Sequence, residues 1–178
     1  MKKACITFLA ILIIIVSLYG VFLAETKPQT ATVTEYLRIH IRADSNEDDD
    51  QRVKYKVKEK VVEYLTPFIS ECDTKAKAET LLTERLTDIE KVADAVLSEN
   101  GMAYSSKARV SKEKFPTRVY DGITLDGGIY DALIIELGSG KGDNWWCVVY
   151  PPLCFTESGA GYVYKSKIRE IIKDFFNK

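Results

Sequence analysis

An uncharged, apolar run from Ala4 to Ala24, preceded only by Met1, Lys2 and Lys3, constrains this chain more than any other feature. At 1.5 Å per residue, about twenty helical residues reach roughly 30 Å, the hydrocarbon thickness of a bilayer. The segment is therefore expected to lie in a membrane or an export channel. Two lysines stand ahead of it and no comparable basic cluster follows soon after. By the positive-inside rule this places the N-terminus in the cytoplasm and the chain after Glu25 outside. Cleavage and retention both stay open, because the small-x-small pattern is poor: Phe22 precedes Ala24 by two positions, and Leu18 precedes Gly20.

Residues 1–24 thus read as a signal peptide or anchor, 25–35 as a polar tether carrying Pro28, and 36–178 as one exported domain. Without Lys2 and Lys3, the 25 bases of the chain become 23 against 26 acids. That mild acidic surplus offers no footprint for nucleic acid. With 46% apolar residues the chain has enough material for a core.

Tyr36 to Arg42 alternates, with Leu37, Ile39 and Ile41 on one side and Arg38, His40 and Arg42 on the other, the period of a strand. Asp44-Ser45-Asn46 supplies N-cap chemistry, and Glu47 to Asp50 crowds acids into a first helical turn. The helix they open is expected to bury Val53, Val57, Val61, Tyr64, Leu65 and Phe68, with a second stripe of Tyr55, Val62 and Ile69. Pro67 is expected to truncate or kink it. A second helix after Asp73-Thr74 carries Leu82, Leu86, Ile89, Ala93, Val96 and Leu97, and stops at Asn100-Gly101. The short connection predicts an antiparallel helical hairpin.

Beyond it, Tyr104 to Val110 alternates as a weak strand that Phe115-Pro116 interrupts. Ala132–Leu137 and Trp145–Tyr150 are two apolar runs around GSGKGDN, the composition of a hairpin loop, and Pro151-Pro152 ends the second. Ile168, Ile171, Ile172 and Phe175 mark a final amphipathic helix. These elements predict an α+β two-layer sandwich on an antiparallel or mixed sheet, with a helical hairpin and a C-terminal helix after the leader.

Chemistry-bearing residues are sparse. Gly138 to Gly142 lacks the Ser or Thr after Lys141 that a P-loop needs, and Asp44-x-Asn46-x-Asp48 lacks the Gly and Glu of a calcium loop. One His and four Cys hardly supply a zinc site. No cofactor is implied. Cys147 and Cys154 flank Pro151-Pro152 and read either as a disulfide or as two buried thiols, with Cys72 left over. His40 with Cys147 is the only base and thiol pair from which an exported hydrolase could be written. Trp145 and Trp146 occupy adjacent strand positions and point to opposite faces. One is expected in the core, and the other is either an interface anchor or a residue covered by the C-terminal helix. Arg38, His40 and Arg42 form a polar strip, read as either a solvated face or a partner surface.

Phe115 to Phe155, FPTRVYDGITLDGGIYDALIIELGSGKGDNWWCVVYPPLCF, resembles the signature region of the stage II sporulation protein R family. Ile39 to Val61, IHIRADSNEDDDQRVKYKVKEKV, is similar to that family's N-terminal motif of strand, turn, acidic patch and charged helix. The chain departs from it at Arg42-Ala43-Asp44, where an apolar residue, Ala and Asn are expected. The resemblance implies an exported signalling protein of endospore formers and not an enzyme. Such proteins cross from the forespore into the space between forespore and mother-cell membranes. There they trigger a membrane-embedded aspartic protease that processes the sigma factor E precursor. Candidate partner contacts are Arg38, His40, Arg42, Lys141, Trp145 and Trp146.

Overall fold

The fold follows from a first strand that is apolar on one side and polar on the other, yet buried on both. The computed structural model describes residues 35–120, 122–155 and 162–177. The apolar run at 4–24 and most of the tether lie outside the described residues. Among the described residues, no helix is long and apolar enough to cross a membrane. Strand β1 (Leu37–Arg42) sits inside a four-stranded mixed sheet of order β2-β5-β1-β6. It runs parallel to β5 (Gly128–Leu137), with Ile39 opposite Leu133, and antiparallel to β6 (Asn144–Tyr150), with Ile39 opposite Cys147. The outer strand β2 (Ser106–Phe115) pairs antiparallel with β5, runs on past Val110 and stops at Phe115-Pro116, the interruption the sequence predicts.

This order corrects one expectation. Ala132–Leu137 and Trp145–Tyr150 do not form a hairpin, because β1 lies between them and the glycine-rich segment crosses over the end of β1. Both flanking strands find a better partner in β1, whose Leu37, Ile39 and Ile41 complete one continuous apolar face with Leu133, Ile135, Leu137, Cys147 and Val149.

Helices α1 (Asp48–Ile69), α2 (Lys75–Glu84) and α3 (Leu86–Glu99) cover that face. In α1, Val53, Val57, Val61, Val62, Leu65 and Ile69 are buried as their spacing predicts. Tyr55 is half exposed, its ring under the Lys54 ammonium at 4.9 Å, so the second apolar stripe is narrower than expected. Pro67 does not end the helix. Thr66 Oγ1 donates to the Val62 carbonyl, and Ser70 Oγ donates to the Pro67 carbonyl. The expected second helix is two, broken at Arg85, whose guanidinium packs on the Phe68 ring at 3.5 Å and reaches the Tyr64 hydroxyl. Thr74 caps the first and Asn100-Gly101 ends the second, both as the sequence predicts. Helix α4 (Tyr162–Phe176) seats Ile168, Ile171, Ile172 and Phe175 against the same core.

The loop from Gly138 to Asp143 is bound along its length to the segment after β1. Gly142 N–H donates to the Ala43 carbonyl at 2.8 Å, Asp143 N–H donates to Asn46 Oδ1 at 2.6 Å, and Ser139 N–H donates to Asp44 Oδ1. Asp44 and Asn46 therefore hold this loop and do not cap α1, whose N-cap is Glu47 without a side-chain bond. A Cβ on Gly142 would fall 2.1 Å from the Ser45 carbonyl oxygen. The neighbour is backbone and cannot swing away. Gly142→Ala is accordingly expected to lower stability by about 2–3 kcal/mol, read as a fall in the urea midpoint at unchanged slope.

Candidate functional site on the outer sheet face

The face of the sheet turned away from the helices carries the polar strip of β1. Arg38 and His40 are not solvated there: Arg38 is 0% exposed and His40 3%. A short hairpin of β3 (Arg118–Tyr120) and β4 (Ile123–Leu125) belongs to this side, where Tyr36, Phe115, Leu125, Tyr130, Ala132, Ile134 and Val148 form a second core. Strands of three residues are too short to show a period in the sequence.

Arg38 lies among aromatic rings. Its guanidinium carbon is 4.4 Å from the Phe115 centroid, 4.9 Å from Tyr130 and 5.6 Å from Tyr120, and Nη2 donates to the Tyr120 hydroxyl at 2.6 Å. Each desolvated ring face contributes about 1–2 kcal/mol, and a charge-assisted hydrogen bond adds about 1.5–3 kcal/mol. Together these are comparable to the several kcal/mol that burying a cation costs. Arg38 Nε and Nη1 have no hydrogen-bond partner among the described residues. Burial also raises the phenols of Tyr120 and Tyr130, and raises Tyr36 to about 12.

Along the same face runs a chain of alternating charge. Arg109 meets Glu136 at 2.8 Å, Glu136 meets Arg42 at 2.7 Å, Arg42 pairs with Glu113, and Glu113 Oε1 accepts from His40 Nδ1 at 3.1 Å. The carboxylate fixes the proton on Nδ1, leaving His40 Nε2 buried without a partner among the described residues. The imidazole lies between Trp146, stacked at 5.3 Å, and the edge of Phe115 at 5.8 Å. Desolvation pushes its pKa below the ordinary value, and Arg42 pushes the same way. Asn144 and Glu113 act against them. Of the groups around His40, the sequence singles out Arg42 and Trp146. Glu113 and Glu136 sit at strand positions whose facing becomes visible only with the register.

The remaining candidates separate. Trp146 is half-buried on the outer face, under the Arg118 guanidinium at 4.5 Å. Trp145 packs against the helical core with the Lys58 ammonium 5.9 Å from its ring. Lys141 is exposed on the crossing loop. Cys147 faces the helices with the residues of the main core, whereas His40 faces the second core, so the sheet divides the base from the thiol. That geometry gives no support to a thiol hydrolase. Cys147 and Cys154 are paired as a disulfide, their Cα atoms 6.3 Å apart, a span such a bridge tolerates. Cys72 is buried and free, and burial raises its thiol pKa.

The outer face is thus a buried cationic and aromatic centre with a charged rim. The sequence pattern described as stage II sporulation protein R matches residues 33–160. The chain is also 30% identical over 176 residues to the stage II sporulation protein R of Bacillus subtilis (strain 168), covering 94% of this chain and 77% of that one. No solved structure matches it. The chain belongs to the stage II sporulation protein R family, and that relative is named as a sporulation protein and not as an enzyme.

Two outcomes are expected of this site. His40 is held neutral when folded and ionises freely when unfolded, so its contribution is complete above 6.5 and is lost as the pH falls from there toward the lowered folded value. Melting temperature is expected to fall over that window more steeply in the native chain than in His40→Gln; parallel profiles would contradict it. Of the four cysteines in the full chain, two are expected to take up alkylating agent in denaturant without reductant, and all four after reduction. Intact mass reads both numbers, and four labels without reductant would contradict the bridge.

Proposed function

We propose that this chain is an exported messenger of sporulation that activates a membrane-embedded aspartic protease, which then processes the precursor of sigma factor E. On this reading the domain crosses from the forespore into the intermembrane space, cleaved from its leader or held by it, and acts there by binding. The observation that carries the reading is membership of the sporulation family, with the match running through both the strand-and-acid motif and the Trp-Trp-Cys region. The sheet stands between His40 and Cys147, which agrees with a role in binding.

Activation then requires that the domain bind one state of the protease more tightly than the other, since a partner with equal affinity for both shifts nothing. A tenfold shift in the active fraction needs about 1.4 kcal/mol of differential affinity, within reach of a few contacts. The exposed Lys141 on the crossing loop, with Trp146 and the charged rim at Arg42, forms the contact surface, whereas Trp145 packs on the opposite face of the sheet. Arg38 and His40 serve it from beneath by fixing the strand.

The test is co-expression of the chain with the protease and the sigma factor E precursor in a non-sporulating host. Processing is expected only when all three are present, and Lys141→Glu is expected to reduce it while the melting temperature stays unchanged. Processing without the chain would sink the activator reading. Full processing by folded Lys141→Glu and Trp146→Ala variants would remove this surface from it.

A further inference from the structure

A sheet has two edges, and here they are treated differently. On β6 the Val148 N–H donates to Cys154 Sγ at 3.4 Å, the Trp146 carbonyl accepts from the Tyr120 hydroxyl at 3.3 Å, and the turn Leu153–Phe155 lies alongside. That edge is covered. On β2 the covering stops part-way. In an antiparallel pair, alternate residues turn both backbone groups toward the partner strand and those between turn outward. Ser106 and Ala108 are outward residues, because their N–H groups donate to Asp94 Oδ1 at 2.6 Å and Glu90 Oε1 at 2.8 Å on α3. The same parity turns Val110, Lys112 and Lys114 outward. Their N–H and carbonyl groups have no partner among the described residues.

This leaves an open edge of five residues, roughly 17 Å at 3.4 Å per residue. Its charge is one-sided. Lys107, Arg109, Lys112 and Lys114 are exposed along β2. The strand's single acid, Glu113, is engaged by His40 and Arg42. Lys112 has only a weak contact, with Asp131 Oδ1 at 4.0 Å. Lysines on an edge prevent two copies from pairing there, because like charges would meet across the new ladder. They do not exclude a strand of opposite charge.

We propose that the Val110–Lys114 edge of β2 docks an extended acidic segment of a protein partner by strand addition. The outward backbone groups of Val110, Lys112 and Lys114 supply the ladder, and Lys112 and Lys114 with the neighbouring Lys107 select for carboxylates, Arg109 being held by Glu136. This surface lies on the edge of the sheet opposite β6, away from Trp145 and Trp146, and it does not depend on the activator reading. The one is read by peptide binding, the other by sigma factor processing, so either can fail alone.

The test uses the full chain in a zwitterionic detergent and a synthetic peptide of alternating Glu and Val. Amide hydrogen exchange, resolved by residue, is expected to show new protection at Val110, Lys112 and Lys114 and none along β6, with the effect weakened by salt. The matching peptide of alternating Lys and Val is expected to give no protection. Lys112→Pro removes an outward N–H that the ladder to β5 does not use, and is expected to abolish docking while the fold persists. Should that variant not fold, the paired change Lys112→Glu and Lys114→Glu is expected to exchange the two peptides' preferences. Absence of protection at the three amides, equal protection by the Lys peptide, or docking undiminished in a folded Lys112→Pro would overturn the proposal, as would an unchanged peptide preference in the double variant.

Discussion

A guanidinium without access to water sits near the middle of the sheet, and the outer half of the molecule is arranged around it. Arg38 is flanked on β1 by residues that must face the helices, so the strand's parity turns it toward the second core. There it is held by the rings of Phe115, Tyr120 and Tyr130, contributed by β2, the small hairpin and β5. These aromatics offset the loss of hydration and at the same time tie three separate elements to β1. Replacing the arginine by an aliphatic residue would remove a cost, but it would also remove the hydrogen bond that fixes the hairpin through Tyr120.

The charged rim extends the same logic. Arg42 and Glu113 lie on strands that do not touch, since β5 separates β1 from β2, yet the side chains meet above it. Glu136 on β5 closes the bridge from below, and Arg109 continues it outward. Exposed ion pairs are each worth about 0–1 kcal/mol. This chain of partly buried ones matters more for direction than for stability: its Glu113 fixes the tautomer and orientation of His40.

Local periodicity carried much of this in advance, and topology carried the rest. The alternation from Leu37 to Arg42 gives β1 its two faces, and the spacing from Val53 to Ile69 gives α1 its buried stripe. The cap at Thr74 and the stop at Asn100-Gly101 are equally local. What no local pattern holds is the insertion of β1 between β5 and β6, because two apolar runs around a glycine-rich stretch are chemically indistinguishable from a hairpin. The break at Arg85 depends on Phe68 and Tyr64 of another helix, and the three-residue strands of β3 and β4 exist through their contacts. At the site, Arg38, His40 and Arg42 were visible as a strip, but the roof over them and their acidic partners were not.

The central position of β1 has a consequence for how such a chain is made. Arg42 meets Glu136 across 94 residues of sequence, so the first strand to leave the ribosome is among the last to be satisfied. The three helices between them can form as they emerge, while the sheet waits for its C-terminal half. Until then Leu37, Ile39 and Ile41 have neither neighbouring strand to pair with, so closing the sheet is the step that joins the two ends of the domain.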